Sequence, residues 1–564
     1  MMFYKYVKQN KILLIAYLIV VPVSALCSAQ FSMSLEPLLN VITRTEKAEN
    51  FAKAALTCVL FSFLDMIAYY LHRIYKEKLR VYFVAGMKRD VFHSLFNKSI
   101  NEFNAISTAQ YTSIINRDIS KLDTCYFDSI CGIYSVAINF IVNLFVVLYV
   151  SPMIAIINIS ISLVSVCIPK FFEKKMQQKQ EYSSEKSEEY YAGLRDYLNG
   201  FSTIKLFHIQ NKIKEKMELK NKNLENANFE SVAINFTSSW VSMLCSQLSF
   251  VVTIIVGVYL VLNGWLSVGA VVAVSQLIGG IAVPFEQLPM YLSNYKSISG
   301  IKDKIQKLID TEEVKEEKQK EFCVECQSFE VNNIVFAYDE NTPLIKNVSL
   351  SMKQNGKYIF VGGSGSGKST MAKLLMGFYP CNSGTVSYGN RGISEYSEKQ
   401  FYRLVTYLEQ DTFLFDDSLL HNITLYQEYS KEEVDRAIKL SGLGNLIEKL
   451  PNGINTQIKE NGHNFSGGEK QRIGIARALI SGAKFLVLDE VTASLDPALA
   501  SDIENMVMSL PDTGVLLITH KWSEGLFKKA DSIFVMKNGE LVEQGSFADL
   551  MEQKKYFYSY YYNL

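Results

Sequence analysis

Net charge is the first thing this 564-residue chain lacks, since 57 lysines and arginines balance 57 aspartates and glutamates. No global basic field argues for nucleic acid, although a balanced total can hide opposed local patches. A disulfide framework is missing too. Of the nine cysteines, Cys27, Cys58, Cys125, Cys131, Cys167 and Cys245 lie in or beside apolar segments, where a free thiol behaves as a small hydrophobe. Cys323 and Cys326 make one lone C-x-x-C without a second pair or nearby His, which falls short of a zinc site. Charge itself is absent from several long stretches. With 48% hydrophobic residues, the chain has more apolar content than a soluble globular protein needs, so part of it belongs in lipid.

The charge gaps locate the spans. Ile12 to Leu35 carries no charge until Glu36 and is long enough for a hydrocarbon core of about 30 Å. The MMFYKYVKQNK before it reads as an interfacial lead-in helix, because no small-residue cleavage site follows a short apolar core. Ala54 to Leu71 is broken only by Asp65. Ser129 to Pro169 accommodates two helices turning near Ser151-Pro152, and Ser231 to Phe285 two more turning at Asn263-Gly264-Trp265. These predict six spans. The connections from His72 to Asp128 and from Lys170 to Glu230 are rich in Lys and Arg, whereas the short turns carry none, so the long connections are expected in the cytoplasm. A charged stretch, TEEVKEEKQKEF (Thr311 to Phe322), then reads as a linker.

Beyond it the chemistry changes. Gly362 to Ser369 reads GGSGSGKS, the G-x-x-x-x-G-K-[ST] pattern in which glycine amides wrap phosphate oxygens, Lys368 reaches the terminal phosphates and Ser369 offers its hydroxyl to magnesium. Its context is the required one, with the strand KYIFVGG entering and the helical STMAKLLMGF leaving. FLVLDE is an apolar strand that ends in two carboxylates, Asp489 and Glu490.

FSGGEKQR, from Phe465 to Arg472, is the signature that separates ATP-binding cassette proteins from other P-loop ATPases, and from here the chain resembles that family. The membrane half agrees: NRDISKLD (Asn116 to Asp123), YLNGFSTIKLF (Tyr197 to Phe207), WLSVG (Trp265 to Gly269) and the Pro284 region resemble stretches of exporter-type transmembrane domains. The resemblance implies roles. Tyr338 would stack on adenine, and Gly362, Gly363, Ser364, Gly365, Ser366, Gly367, Lys368, Ser369 and Thr370 would cradle the phosphates. Ser369, Gln410 and Asp489 would hold magnesium. Glu490 would orient the attacking water, with Gln410 and His520 completing the catalytic set. Ser466, Gly467, Gly468 and Glu469 would act in trans, capping the γ-phosphate held by a partner cassette.

Some letters depart from the pattern. Phe465 and Glu469 replace the commoner Leu and Gln, TASLD (Thr492 to Asp496) permutes the usual order, and TQIKENG (Thr456 to Gly462) keeps only part of the exporter X-loop. None removes a catalytic group.

The expected architecture is a membrane all-α six-helix transmembrane domain (1–315), a charged linker (316–326) and an α/β P-loop ATPase cassette domain (327–564). The expected function is ATP- and magnesium-dependent export of an amphipathic small molecule, lipid or peptide. The protein would be multi-pass in the cell membrane with its cassette in the cytoplasm. A homodimer needs no other polypeptide, because the hydrolytic set and the signature are both intact; a heterodimer is the other arrangement. A metal-siderophore importer on the same fold and a nucleotide-gated channel or regulator are the alternatives, and no nucleic acid partner is expected. No fused leader-peptidase domain is expected ahead of the lead-in helix. Asp65 and Glu286 are the candidate substrate contacts, and no basic cluster in the sequence announces an anionic cargo.

Overall fold

The structure, a computed structural model, describes residues 2–43, 50–310, 328–338 and 342–562; within these, the side chains at 2, 3, 9, 165–170, 242, 245, 286 and 460 lie outside the description. The expected linker, 316–326, with Cys323 and Cys326, is outside it as well. The chain divides into two compact units, Met1–Lys98 with Ile106–Glu313, and Ser99–Ala105 with Val314–Leu564.

The first unit is helical. A short helix α1 (Met2–Val7) leads into α2 (Lys11–Ile42), whose first turn is capped by the Asn10 side chain accepting from the Leu13 amide at 3.3 Å. The lead-in helix is packed down: Tyr6 is 1% exposed and meets Phe83 edge-on, and Lys5 pairs with Asp90 at 2.8 Å. Then come α3 (Phe51–Phe96), the short α4 (Ile100–Asn104), α5 (Thr108–Val150), α6 (Pro152–Asn199), α7 (Gln210–Leu262) and α8 (Val268–Ser297). Both expected turns exist and have local causes. Ser151 caps α6 with Pro152 in the first turn, where a missing N–H costs nothing. Gly264 takes φ +74°, and Ser267 then caps α8 by accepting from the Ala270 amide at 3.0 Å.

Five of these helices, α2, α3, α5, α7 and α8, are long and apolar enough to cross a membrane. In the sixth expected span, α6, the apolar stretch with described side chains runs only from Pro152 to Val164. The helices α3, α6 and α7 have 46, 48 and 53 residues, while about 20 suffice for a bilayer core, so each continues well past it.

Val147, Ile154, Leu260, Val274 and Ile281 form an apolar core in the bundle, and Asn158, fully buried, bridges helices by donating to Thr253 Oγ1 at 2.7 Å and accepting from Ser249. Asn139 and Asn143 instead bond back within their own helix, to Ser135 and Asn139 carbonyls at 2.8 and 2.7 Å. In the charged part of the unit, Arg80 forks onto Asp123 with contacts of 2.6 to 2.9 Å, and Lys304 reaches the buried Asp118 at 3.0 Å. Both aspartates belong to the NRDISKLD stretch, which lies where α5 widens into two π-helical segments, Ile114–Asp118 and Leu122–Phe127. The loop tip Ser99–Ala105, including α4, groups with the second unit.

The second unit has two sheets. An antiparallel sheet has the order β2-β1-β4-β5, from β1 (Phe329–Phe336), β2 (Ile345–Met352), β4 (Ser383–Tyr388) and β5 (Arg391–Gly392). The larger sheet runs β10-β9-β3-β8-β7-β6, from β3 (Lys357–Val361), β6 (Val405–Leu408), β7 (Phe485–Asp489), β8 (Gly514–Ile518), β9 (Ser532–Lys537) and β10 (Glu540–Gly545). All its pairs are parallel except β9 with β10. Every residue of β7 and β8 is buried, which explains why these strands read as unbroken apolar runs rather than alternating ones.

Candidate functional site

The site grows from the ends of the parallel strands. After β3 the chain makes the glycine loop and enters helix α9 (Lys368–Leu375). Gly365 and Gly367 stand at φ +75° and +101°, conformations that side chains resist, and a Cβ on Gly362 would fall 2.2 Å from the Met536 carbonyl oxygen. Lys368 is 4% exposed and donates to the Gly362 and Gly363 carbonyls at 2.9 and 3.0 Å. Burial lowers the pKa of its ammonium, against the pull of Glu490 and Asp489. Ser366 Oγ is buried with no partner among the described residues, and so is free to bond a phosphate oxygen.

At the end of β7, on the far side of β8 from β3, Asp489 accepts from Ser369 Oγ and from the Tyr407 hydroxyl, each at 3.0 Å. Its pKa is raised, mainly by burial, with those two hydrogen bonds pulling the other way. A hydroxyl beside a carboxylate suits a hard divalent cation, so Ser369 and Asp489 fit magnesium chemically. Tyr407 was not singled out from the sequence; the signal was its place on β6, in register beside Val487 of β7, three residues before Gln410.

Glu490 lies one residue past the strand at φ +52°, unusual for a residue with a side chain. That turn aims its carboxylate at two groups. Gln410 Nε2 donates to one oxygen at 3.2 Å, and His520 Nε2 lies 2.7 Å from the other. Gln410, Glu490 and His520, distant in sequence, thus meet at one point. Gln471, another residue the sequence reading passed over, is 5% exposed; it donates to the Gln410 carbonyl at 3.5 Å and accepts from the Ser494 amide at 3.2 Å.

Tyr338 is 55% exposed, and Phe336 and Tyr379 meet it edge-on at 5.0 and 5.3 Å, an arrangement that fixes the ring's plane. Its hydroxyl lies 3.5 Å from Thr370 Oγ1. The signature opens a separate helix, α10 (Gly467–Ile480). Ser466 caps it in a reciprocal box: the Glu469 amide donates to Ser466 Oγ at 3.3 Å, and the Ser466 amide donates to the Glu469 carboxylate at 2.7 Å. This gives the unusual Glu469 a local reason, since an acid in the first turn also complements the helix dipole. A Cβ on Gly468 would approach the Ser494 carbonyl oxygen at 3.1 Å, so the permuted TASLD packs directly on the signature. Asp65, half-buried on α3, has no hydrogen bond or ion pair among the described residues, and the Glu286 side chain lies outside the description.

The family described as ABC transporter transmembrane region matches residues 14–285, and the family described as ABC transporter matches residues 345–493. The chain belongs to the ABC transporter family. Similar proteins span nearly its whole length. The multidrug resistance-like ATP-binding protein MdlB of Buchnera aphidicola subsp. Schizaphis graminum is 27% identical over 91% of this chain and 89% of its own. An ATP-dependent lipid A-core flippase of Syntrophus aciditrophicus is 25% identical over 94% and 88%. The solved structure of a bacterial Atm1-family ABC exporter with ATP bound shares the fold, with a TM-score of 0.83 over 98% of each chain at 22% identity. This ABC transporter is therefore a multi-pass membrane ATPase with the fold of an exporter, which binds and hydrolyses ATP to drive transport.

Proposed function

We propose that two copies of this half-transporter, each a transmembrane domain (1–315), a linker (316–326) and a cassette (327–564), form a homodimer in the cell membrane with both cassettes in the cytoplasm. The observation that carries the reading is the convergence of Gln410 and His520 on Glu490 at the end of β7. Each site would take its phosphate loop and hydrolytic set from one chain and Ser466 to Glu469 from the other, because the capped N-terminus of α10 is a second phosphate-binding surface on the same unit.

Within a site, Tyr338 stacks on adenine, and the amides from Gly362 to Thr370 with Lys368 hold the phosphates. Ser369 and Asp489, with Gln410, would hold magnesium, which would supply charge neutralisation to the phosphates. Glu490 holds the attacking water by its carboxylate and His520 fixes the orientation of that carboxylate. Closing the cassettes over two nucleotides draws together the cytoplasmic helix extensions. Inverting a 1:99 population of two states requires roughly 5.5 kcal/mol of preferential binding, within reach of two enclosed nucleotides. The grouping of the loop tip Ser99–Ala105 with the cassette unit supports transmission through that tip.

The cargo is an amphipathic small molecule, lipid or peptide, which is consistent with relatives named for multidrug resistance and lipid A-core flipping. Magnesium-dependent ATPase activity of the chain alone in lipid nanodiscs, wild type against Glu490→Gln, tests the engine. Robust activity abolished in the variant supports the self-sufficient homodimer; well-folded but inactive wild-type protein overturns it.

A further inference from the structure

A cavity of about 260 Å³ lies inside the first unit, among α2, α3, α5 and α8. Its wall on α3 is basic: His72, Arg73 and Lys76 follow Tyr69 at spacings that put all four on one helical face. Ser135 and Gln287 add polar atoms from the other helices. No carboxylate lines it among the described residues. The floor is aromatic. Tyr17 is 3% exposed, with its hydroxyl 3.4 Å from the Cys131 carbonyl oxygen, and Tyr291 lies so close over Gly132 that a Cβ there would fall 2.4 Å from its ring.

The charges are only partly balanced. Lys76 pairs with Asp128 at 2.8 Å, outside the cavity lining. Among the described residues Arg73 has no acidic partner within 4 Å; its Nε donates to the Tyr69 hydroxyl at 3.2 Å and its guanidinium lies 5.6 Å from that ring's centroid. Asp128 offsets Lys76, which leaves the Arg73 guanidinium as the charge that an entering anion would meet in a lining without a carboxylate among the described residues. Position defines the anion further. The basic face begins directly after Leu71, where the apolar stretch of α3 ends, so the cavity lies at the height of lipid head groups.

We propose that this cavity binds the phosphate head of an anionic amphiphile, whose chain stays beside the apolar stretch of α3, and that the cargo is of this class. The inference deepens the export reading and rests on it. Arg73 supplies the paired N–H donors that a phosphate takes bidentately, Lys76 the point charge, and Tyr69 the ring that holds Arg73 in place.

The test is equilibrium binding of fluorescently labelled lysophosphatidic acid to the full chain in nanodiscs of neutral lipid, without nucleotide, so that failure of this site and failure of ATP-driven transport are read separately. Arg73→Gln with Lys76→Gln is expected to weaken binding about ten-fold or more. Arg73→Lys should recover part of the loss, and Lys174→Gln with Lys175→Gln, which removes equal charge from the exposed face of α6, should leave binding unchanged. Thermal unfolding of each variant in the same discs separates lost binding from lost fold, and a misfolded double variant is replaced by Arg73→Gln alone. Equal loss in the α6 pair would reduce the effect to general surface charge and overturn the site. Equally tight binding of the labelled lysophosphatidylcholine would overturn anion selection, and displacement by inorganic phosphate at the probe's own concentration would overturn the amphiphile.

Discussion

Two groups of buried polar side chains, one in each unit, are used in opposite ways. In the membrane unit, Asn158, Ser249 and Thr253 are almost fully buried and satisfy one another across two helices. In the cassette, Ser366 Oγ is buried with no partner among the described residues, and Lys368 is held by carbonyls of its own loop. Burying a polar group without a partner costs about 1 to 3 kcal/mol, so a fold keeps one only where something else repays it. The closed network here serves packing; the open one sits in the phosphate loop, where a ligand can complete it.

Substitutions can break or sharpen that contrast. The largest effect is expected at Glu490: Glu490→Gln should lower ATP hydrolysis by about 10²- to 10⁴-fold while nucleotide still binds, measured as phosphate release beside a filter-binding assay. Retained hydrolysis would mean that the Gln410, Glu490 and His520 cluster is packing after all. Next, Lys368→Ala should weaken ATP binding about 10- to 100-fold, the size of one lost charge-assisted contact, without lowering the unfolding temperature of the nucleotide-free protein. A third effect concerns Asp489. Because its pKa is raised, protonation should begin at higher pH than for an ordinary aspartate, and a protonated acid binds magnesium poorly. The acid limb of the ATPase profile should therefore shift to lower pH as magnesium is increased; a limb indifferent to magnesium would remove Asp489 from the metal. The smallest effect belongs to the closed network. Asn158→Leu should cost only about 0.6 to 1.7 kcal/mol of stability and leave ATP affinity unchanged, measured by denaturation in mixed micelles.

Much of this could be read from the letters alone, and the parts that could not share a cause. The glycine loop, Lys368 and Ser369 were legible because strand, loop and helix are contiguous, and the turns at Ser151-Pro152 and Gly264 because they are punctuated locally. The partnership of Tyr407 with Asp489 depends on two parallel strands joined through 76 residues, from Leu408 to Phe485, and sequence spacing carries no trace of it. The basic cavity escaped for the same reason. Its lining comes from four helices, and its cations, scattered among others in the chain, looked like the ordinary charge that follows a span. The widening of α5 at Asn116 to Asp123 was hidden too, since a helical pattern does not reveal where extra residues enter a turn.

The backbone at Glu490 has one further consequence. At φ +52° it occupies a region that costs a residue with a side chain of order 1 to 3 kcal/mol, which glycine would not incur. Laboratory evolution that selects only for heat resistance or expression yield should therefore favour Glu490→Gly, and each such gain would deliver a sturdier protein that no longer turns over its fuel.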